Sequence, residues 1–298
     1  MEKSEIKQLM DTDYTSHIEI MLSTTCNMSC MYCSELVSST WADIKGVEKN
    51  NVNQEWQDAV FDELYRYIPT LKKSLFFNFT GGEPLLEWNI FDIIEKIAYL
   101  ADKKYTHQIM ITTNLNIKPK LLQRFLEIVE SNPGFQWRLS ISVDEVGESK
   151  LRDGLDWNRF EENLKLIADN DSLYHINFLP SITNLSIPLH EELIKYLQSQ
   201  KIKARNEIGN NMVYGPKPLS LTIAPTSFKK YLHRAWEAAV PGVHKKFLEG
   251  CVHNIGTERN KENIEQAIKF FEEQSRWKNI DYLKVYPHLE KILDISIK

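Results

Sequence analysis

Six short apolar runs, each followed by a segment with helical spacing or a change of texture, recur through residue 213, and this alternation restricts the fold more than any other feature. The runs are HIEIMLST (His17 to Thr24), SLFFNFT (Ser74 to Thr80), HQIMITTN (His107 to Asn114), WRLSISVD (Trp137 to Asp144), HINFLPSIT (His175 to Thr183) and RNEIGNNMV (Arg205 to Val213). Between them lie QEWQDAVFDELYRYI, NIFDIIEKIAYLADK, PKLLQRFLEIVE, DWNRFEENLKLIA and HEELIKYLQSQ. Their apolar residues fall three and four apart, the period of an amphipathic helix. Pro119 suits a first helical turn, and Asp156 is placed to cap the helix that follows it. Strand and helix in strict alternation build a parallel sheet, and six units are two short of a closed eightfold barrel. The expected fold is therefore α/β, a partial (β/α)6 barrel with one open edge.

After Val213 the texture changes to YGPKPLSLTIAPTSF, which is expected to be extended, and then to helical KKYLHRAWEAAV and KENIEQAIKFFEEQSRWKN. This divides the chain into a barrel of residues 1–214 and a helical C-terminal extension of residues 215–298 that would cover the open edge. The chain of 298 residues, 42% hydrophobic and 26% charged, has the composition of a folded globular protein. Its 36 basic and 41 acidic residues leave a formal charge of −5, which offers no general attraction for nucleic acid or an anionic membrane. The charged start MEKSEIKQLMDTDYT lacks a signal-peptide core, and no apolar run approaches a membrane span. A cytoplasmic location is expected.

Three of the four cysteines, Cys26, Cys30 and Cys33, crowd into TTCNMSCMYCSEL just after the first strand. Such crowding suits a metal site in a reducing compartment better than a disulfide framework. Zinc wants four soft ligands and would need Cys251 or a distant histidine to complete the set. A 4Fe-4S cluster can be held by three thiolates with one iron left open to another ligand. The loop from Cys26 to about Asn53 is long, and long loops in compact domains tend to be functional.

The other strand ends converge on the same rim, where β/α barrels carry their chemistry. After the second strand comes TGGEP, in which Gly81 and Gly82 permit close backbone approach and Glu83 offers a carboxylate. Taken alone, this is a turn. Thr113 and Asn114 end the third strand, where loop capping is the plain alternative. Ser142 and Asp144 end the fourth and are expected on one strand face, with Arg152 downstream able to pair with a carboxylate.

The three-cysteine motif with Tyr32 before its last cysteine, followed one unit later by GGEP, resembles the radical S-adenosylmethionine (SAM) enzymes. ISVDEVGESKLRDGLDWNRFEENL, NNMVYGPKPLSLTIAPTSFKK and DYLKVYPHLEKIL further resemble the twitch-domain subgroup. The resemblance implies one 4Fe-4S cluster on Cys26, Cys30 and Cys33, whose open iron is chelated by the methionine end of SAM. Reductive cleavage then gives a 5'-deoxyadenosyl radical that removes hydrogen from a small polar molecule or a peptide, with an electron from a donor such as flavodoxin or ferredoxin. It implies that Gly81, Gly82 and Glu83 meet the methionine amine, and that Ser142 and Arg152 address the carboxylate or ribose. Tyr32 and Ile182 would lie against the adenine, with Thr113, Asn114 and Asp144 nearby. Twitch extensions commonly bind an auxiliary cluster, whereas Cys251 is the only cysteine here beyond the motif; it is expected to be a small buried hydrophobe. Trp41 is expected to anchor its own loop rather than to form a lid. No catalytic acid or base is identified. The rival expectation is a non-catalytic zinc or iron-sulfur module that serves in sensing or interaction, which explains the cysteines but not GGEP.

Overall fold

The computed structural model describes residues 17–49 and 53–295. The N-terminal segment on which the signal-peptide expectation rests lies outside them. Strands β1 (His17–Met21), β2 (Phe76–Thr80), β3 (His107–Thr113), β4 (Phe135–Ile141), β5 (His175–Phe178), β6 (Ser181–Ile182), β7 (Arg205–Ile208) and β8 (Asn211–Met212) alternate with helices α1 (Ser39–Lys45), α2 (Gln54–Tyr67), α3 (Ile90–Leu100), α4 (Pro119–Ser131), α5 (Trp157–Ala168) and α6 (His190–Ser199). A six-stranded sheet runs β1-β2-β3-β4-β5-β7 with every pairing parallel, and β6 pairs with β8 in a separate parallel ladder. The architecture is the expected partial β/α barrel, continued by α7 (Lys229–Ala238), α8 (Val243–Cys251), α9 (Lys261–Lys278), α10 (Tyr282–Val285) and α11 (Leu289–Leu293).

The two-residue strand period separates the faces of the sheet. In β3, His107, Ile109, Ile111 and Thr113 are buried while Gln108, Met110 and Thr112 are half-buried. The buried face packs on apolar stripes of the helices through residues such as Ile94, Phe125, Phe160 and Leu164, and Phe125 meets Trp137 edge to face at 6.0 Å between centroids. The register aligns Asn78, Met110, Arg138 and His175 across the other, concave face. That face is mostly polar, and the side-chain oxygens of Asn78 and Asn177 have no hydrogen-bond partner among the described residues.

Helix starts follow the sequence closely. Asp156 accepts from Arg159 N at 3.2 Å, and Pro119 opens α4. Strand ends follow it less well. The fifth run breaks into β5 and β6 because Pro180 has no N–H for the ladder, and Ser181 N turns instead to Asp144 Oδ1 at 2.6 Å. The sixth run breaks into β7 and β8 at Gly209, whose N–H still reaches Phe178 O at 2.7 Å while its α-carbon lies against the Asn177 carboxamide. β4 begins at Phe135 and ends at Ile141, so Ser142 and Asp144 stand on the following loop and do not share a strand face. The stretch after Tyr214 is not extended: Lys217–Leu219, Leu221–Ile223 and Thr226–Phe228 are single 3-10 turns, the first and third with a proline at or just before the start, where no N–H is needed, and the second capped by the Ser220 side chain.

A second apolar core spans both sides of residue 215. Leu219, Leu221, Phe228, Leu248, Phe271 and Tyr286 pack with Met31, Leu151, Ile182 and Leu185. The C-terminal helices are thereby joined to the cysteine loop and to the loops beyond β4 and β6. Among the described residues no helix is long and apolar enough to cross a membrane.

Candidate functional site at the strand ends

The cysteine loop is pinned by its own neighbours in sequence. Ser38 caps α1, Thr40 Oγ1 donates to Cys26 O at 2.6 Å, and the buried Trp41 donates from Nε1 to Cys30 O at 2.8 Å. Trp41 is thus an anchor of its loop, as expected. Two backbone bonds, Ser29 N to Asp153 O and Met31 N to Leu151 O, both 2.8 Å, stitch the loop to the segment after β4.

The glycine pair supports the loop from the other side. Gly82 N donates to Ser23 O and Glu83 N to Thr25 O at 2.7 Å. A Cβ on Gly82 would fall 2.2 Å from Thr25 O, and one on Gly81, whose φ is +120°, would fall 2.7 Å from Ser23 O. The close approach that requires glycine here is therefore to the chain leaving β1.

Glu83 is fully buried, and its carboxylate is spent on the protein: Oε1 accepts from Leu85 N at 3.2 Å and Oε2 from Asn114 N at 2.6 Å. Burial pushes its carboxyl up to about 7 against the pull of these hydrogen bonds. Asn114 Nδ2 donates to Asn27 Oδ1 at 2.9 Å, and Asn27 Nδ2 reaches Asn116 O at 2.6 Å. Thr113 Oγ1 accepts from Leu115 N. The ends of β1, β2 and β3 thus form one hydrogen-bonded rim.

On the far side, Tyr32 donates from its hydroxyl to Asp144 Oδ2 at 2.7 Å and accepts from Arg152 Nη1, which lies 3.4 Å from the same carboxylate oxygen. Asp144 and Arg152 are buried and Tyr32 is half-buried, and Arg152 Nε has no partner among the described residues. Ser142 is half-buried beside them in the chain, and Ile182 is fully buried in the second core.

The donor set suits an iron-sulfur cluster. The three thiols are close enough to influence one another, and Cys30 is lowered to about 7 by the Cys33 hydrogen bond, helped by the Arg152 and Lys278 charges against the cost of burial. Cys33 is pushed up by that same bond, and Cys26 is raised to about 11 by burial. Two cations beside three potential thiolates offset the charge such a ligand set would carry. Among the described residues no three His, Cys, Asp or Glu side chains converge on a site for a single metal ion, whereas a cluster takes each thiolate on a different iron. Cys251 is buried, 3.9 Å from Met212 Sδ, and burial raises its thiol to about 12.

Several contributors were not foreseen. Lys278, from the end of α9, donates to Ser29 O. Tyr286 accepts from Leu151 N at 2.8 Å and donates to Glu145 Oε1 at 2.6 Å, an oxygen that also accepts from Ser149. Both act across more than a hundred residues, and no local pattern marks them. Burial lifts the Glu145 carboxyl to about 7. The folded chain consequently holds this proton between about 4.5 and 7 where the unfolded chain has lost it, so the stabilisation is full below about 4.5 and is lost as pH rises through about 7. Glu145→Gln keeps an acceptor for both hydroxyls without the ionisation. Urea denaturation should find the variant more stable than wild type by roughly 2–3 kcal/mol at about pH 8, and nearly equal at about pH 5. A gap that does not depend on pH would remove Glu145 from this role.

Residues 20–216 match the sequence model of the Radical SAM superfamily. An uncharacterized protein of Methanocaldococcus jannaschii is 26% identical over 240 residues, which cover 74% of this chain and 72% of that protein. Native anSMEcpe with bound AdoMet superposes with a TM-score of 0.52 at 20% identity, covering 80% of this chain and 63% of that one. A hexahistidine-tagged form of anSMEcpe with bound AdoMet gives 0.51 at 19% identity, covering 78% and 62%. The chain therefore spans less than two thirds of the length of these solved proteins, and at this identity the likeness is one of fold.

Proposed function

This chain belongs to the radical SAM superfamily, whose members use a 4Fe-4S cluster and S-adenosylmethionine, and on that premise we propose that Cys26, Cys30 and Cys33 hold one such cluster and that the rim of β1 to β5 binds SAM. When bound, cluster and SAM supply reductive sulfonium cleavage and a 5'-deoxyadenosyl radical for hydrogen abstraction. The observation that carries this reading is the contact of the cysteine loop with the Gly81–Gly82–Glu83 turn, since it brings the motif and the turn after β2 to one rim.

The protein's own residues then divide the work of positioning. The backbone of Gly81 to Glu83 faces the methionine amine, while the Glu83 carboxylate holds β2 and β3 together behind it through Asn114, with Thr113 beside it. Asp144 and Arg152 fix the Tyr32 ring against the adenine. Arg152 also has one N–H without a partner among the described residues to offer a carboxylate or ribose, and the Ser142 hydroxyl addresses the same groups. Ile182 backs the adenine from the second core. The concave face of the sheet is the place for a substrate, and the unpartnered oxygens of Asn78 and Asn177 suit one that donates hydrogen bonds: a small polar molecule or a peptide. The electron would come from a protein such as flavodoxin or ferredoxin.

Residues 215–298 are, in this account, a twitch-like extension without an auxiliary cluster. Each iron needs a ligand, and the extension's single cysteine is packed against Met212. Anaerobically reconstituted protein should hold about four irons and four sulfides per chain, unchanged in Cys251→Ala. A content near eight irons, or loss of half the iron in that variant, would overturn the single-cluster reading.

A further inference from the structure

The last residue of α9 turns back into the cysteine loop. The Lys278 side chain is 1% exposed. Its Nζ donates to Ser29 O, between Cys26 and Cys30 in the chain, lies 3.8 Å from Asp153 Oδ2, and sits 4.5 Å from the Trp41 ring centroid. Each partner is itself tied to the loop: Asp153 Oδ2 accepts from Ser29 Oγ at 3.1 Å, and Trp41 donates to Cys30 O. The helix does not need this lysine for its own termination, because Asn279 closes it in the left-handed conformation with its N–H on Ser275 O. A buried ammonium is costly unless charge or hydrogen bonds compensate it, so its position beside the thiols calls for a reason beyond packing.

Arg152, the other cation near the thiols, is engaged by Asp144 and Tyr32. Among the described residues the carboxylate that faces Lys278 is Asp153, at the longer distance of 3.8 Å, so its charge is less closely neutralised than that of Arg152. A positive charge in a region of low dielectric favours the more negative state of a neighbouring redox centre.

We propose that Lys278 is a positioning residue by which the C-terminal extension places a positive charge beside the cysteine loop and raises the reduction potential of the cluster. This rests on the cluster reading of the preceding subsection. The step it affects is the uptake of one electron from a low-potential reductant by the oxidised cluster, whose negative charge increases by one.

Potentiometric titration followed by electron paramagnetic resonance should compare reconstituted wild type with Lys278→Met, Lys278→Arg and Asp153→Asn. Lys278→Met is expected to shift the midpoint to lower potential, Asp153→Asn to higher, and Lys278→Arg to stay near wild type. A residue that only packs the loop would move Lys278→Met and Asp153→Asn in the same direction, since both loosen the same contacts, and that result overturns the proposal. So does a Lys278→Met cluster with an unchanged midpoint. Where Lys278→Met fails to fold, Asp153→Asn carries the test, and a lowered or unchanged midpoint there refutes it. Absence of any low-potential cluster in wild type would instead sink the preceding reading and this one with it, and iron analysis separates the two failures.

Discussion

Cys30→Ala should yield a folded protein that retains no intact cluster and forms no 5'-deoxyadenosine. Cys30 is the buried member of the trio, and its carbonyl, not its thiol, holds Trp41. Alanine keeps that carbonyl, so the loop anchor and the fold should survive, with a denaturation midpoint near that of the unreconstituted wild type. Two thiolates cannot hold three irons of the cube. Losing a residue that only orients a ligand typically costs about 10–100-fold in metal affinity or activity, and losing a ligand itself should exceed this. Circular dichroism, iron analysis and product chromatography on one preparation separate folding from cluster loss. Undiminished product from this variant would show that the motif does not carry the chemistry.

Gly82→Ala should be nearly as damaging by a different route. The added methyl would stand 2.2 Å from Thr25 O and 2.7 Å from its carbonyl carbon. No flexible side-chain end is available to yield, so the backbone before Cys26 or the turn itself must move. Overpacking of this kind costs about 1–3 kcal/mol, and a shifted loop carries Cys26 with it. Denaturation should find the variant destabilised by about 2–3 kcal/mol, and product formation should fall at least about tenfold. Gly134→Ala is the control, because a methyl there meets nothing within 4 Å, and its stability should stay within about 0.5 kcal/mol of wild type. Equal behaviour of the two variants would mean that the turn and the loop do not depend on each other.

The features legible in the sequence are those fixed by local chemistry. Asp156 and Pro119 mark helix starts because capping and the missing N–H act within one turn. The central strands β2 to β4 show as β-rich runs between turn residues. The breaks at Pro180 and Gly209 were hidden inside longer apolar runs, because whether a chain stays in a ladder depends on its neighbour: Ser181 leaves for Asp144, 37 residues away. At the site, the cysteine motif and the glycine turn were legible as residues. The partner of the glycines was not, since it is the chain leaving β1. Nor was the burial of Glu83 between two backbone amides, which turns an apparent ligand into a brace for the rim. Lys278 and Tyr286 were out of reach altogether. They meet the rim only after the C-terminal helices have packed on the second core, and the lysine's bond spans 249 residues.

Anaerobic incubation of the reconstituted wild-type protein with SAM and dithionite, followed by chromatography, tests the central claim most directly. Time-dependent 5'-deoxyadenosine and methionine in equal amounts, absent without reductant and absent from Cys30→Ala, is the predicted result. A protein that holds four irons, binds SAM and yet releases no 5'-deoxyadenosine would contradict the radical chemistry and leave the cysteines with a sensing or structural task.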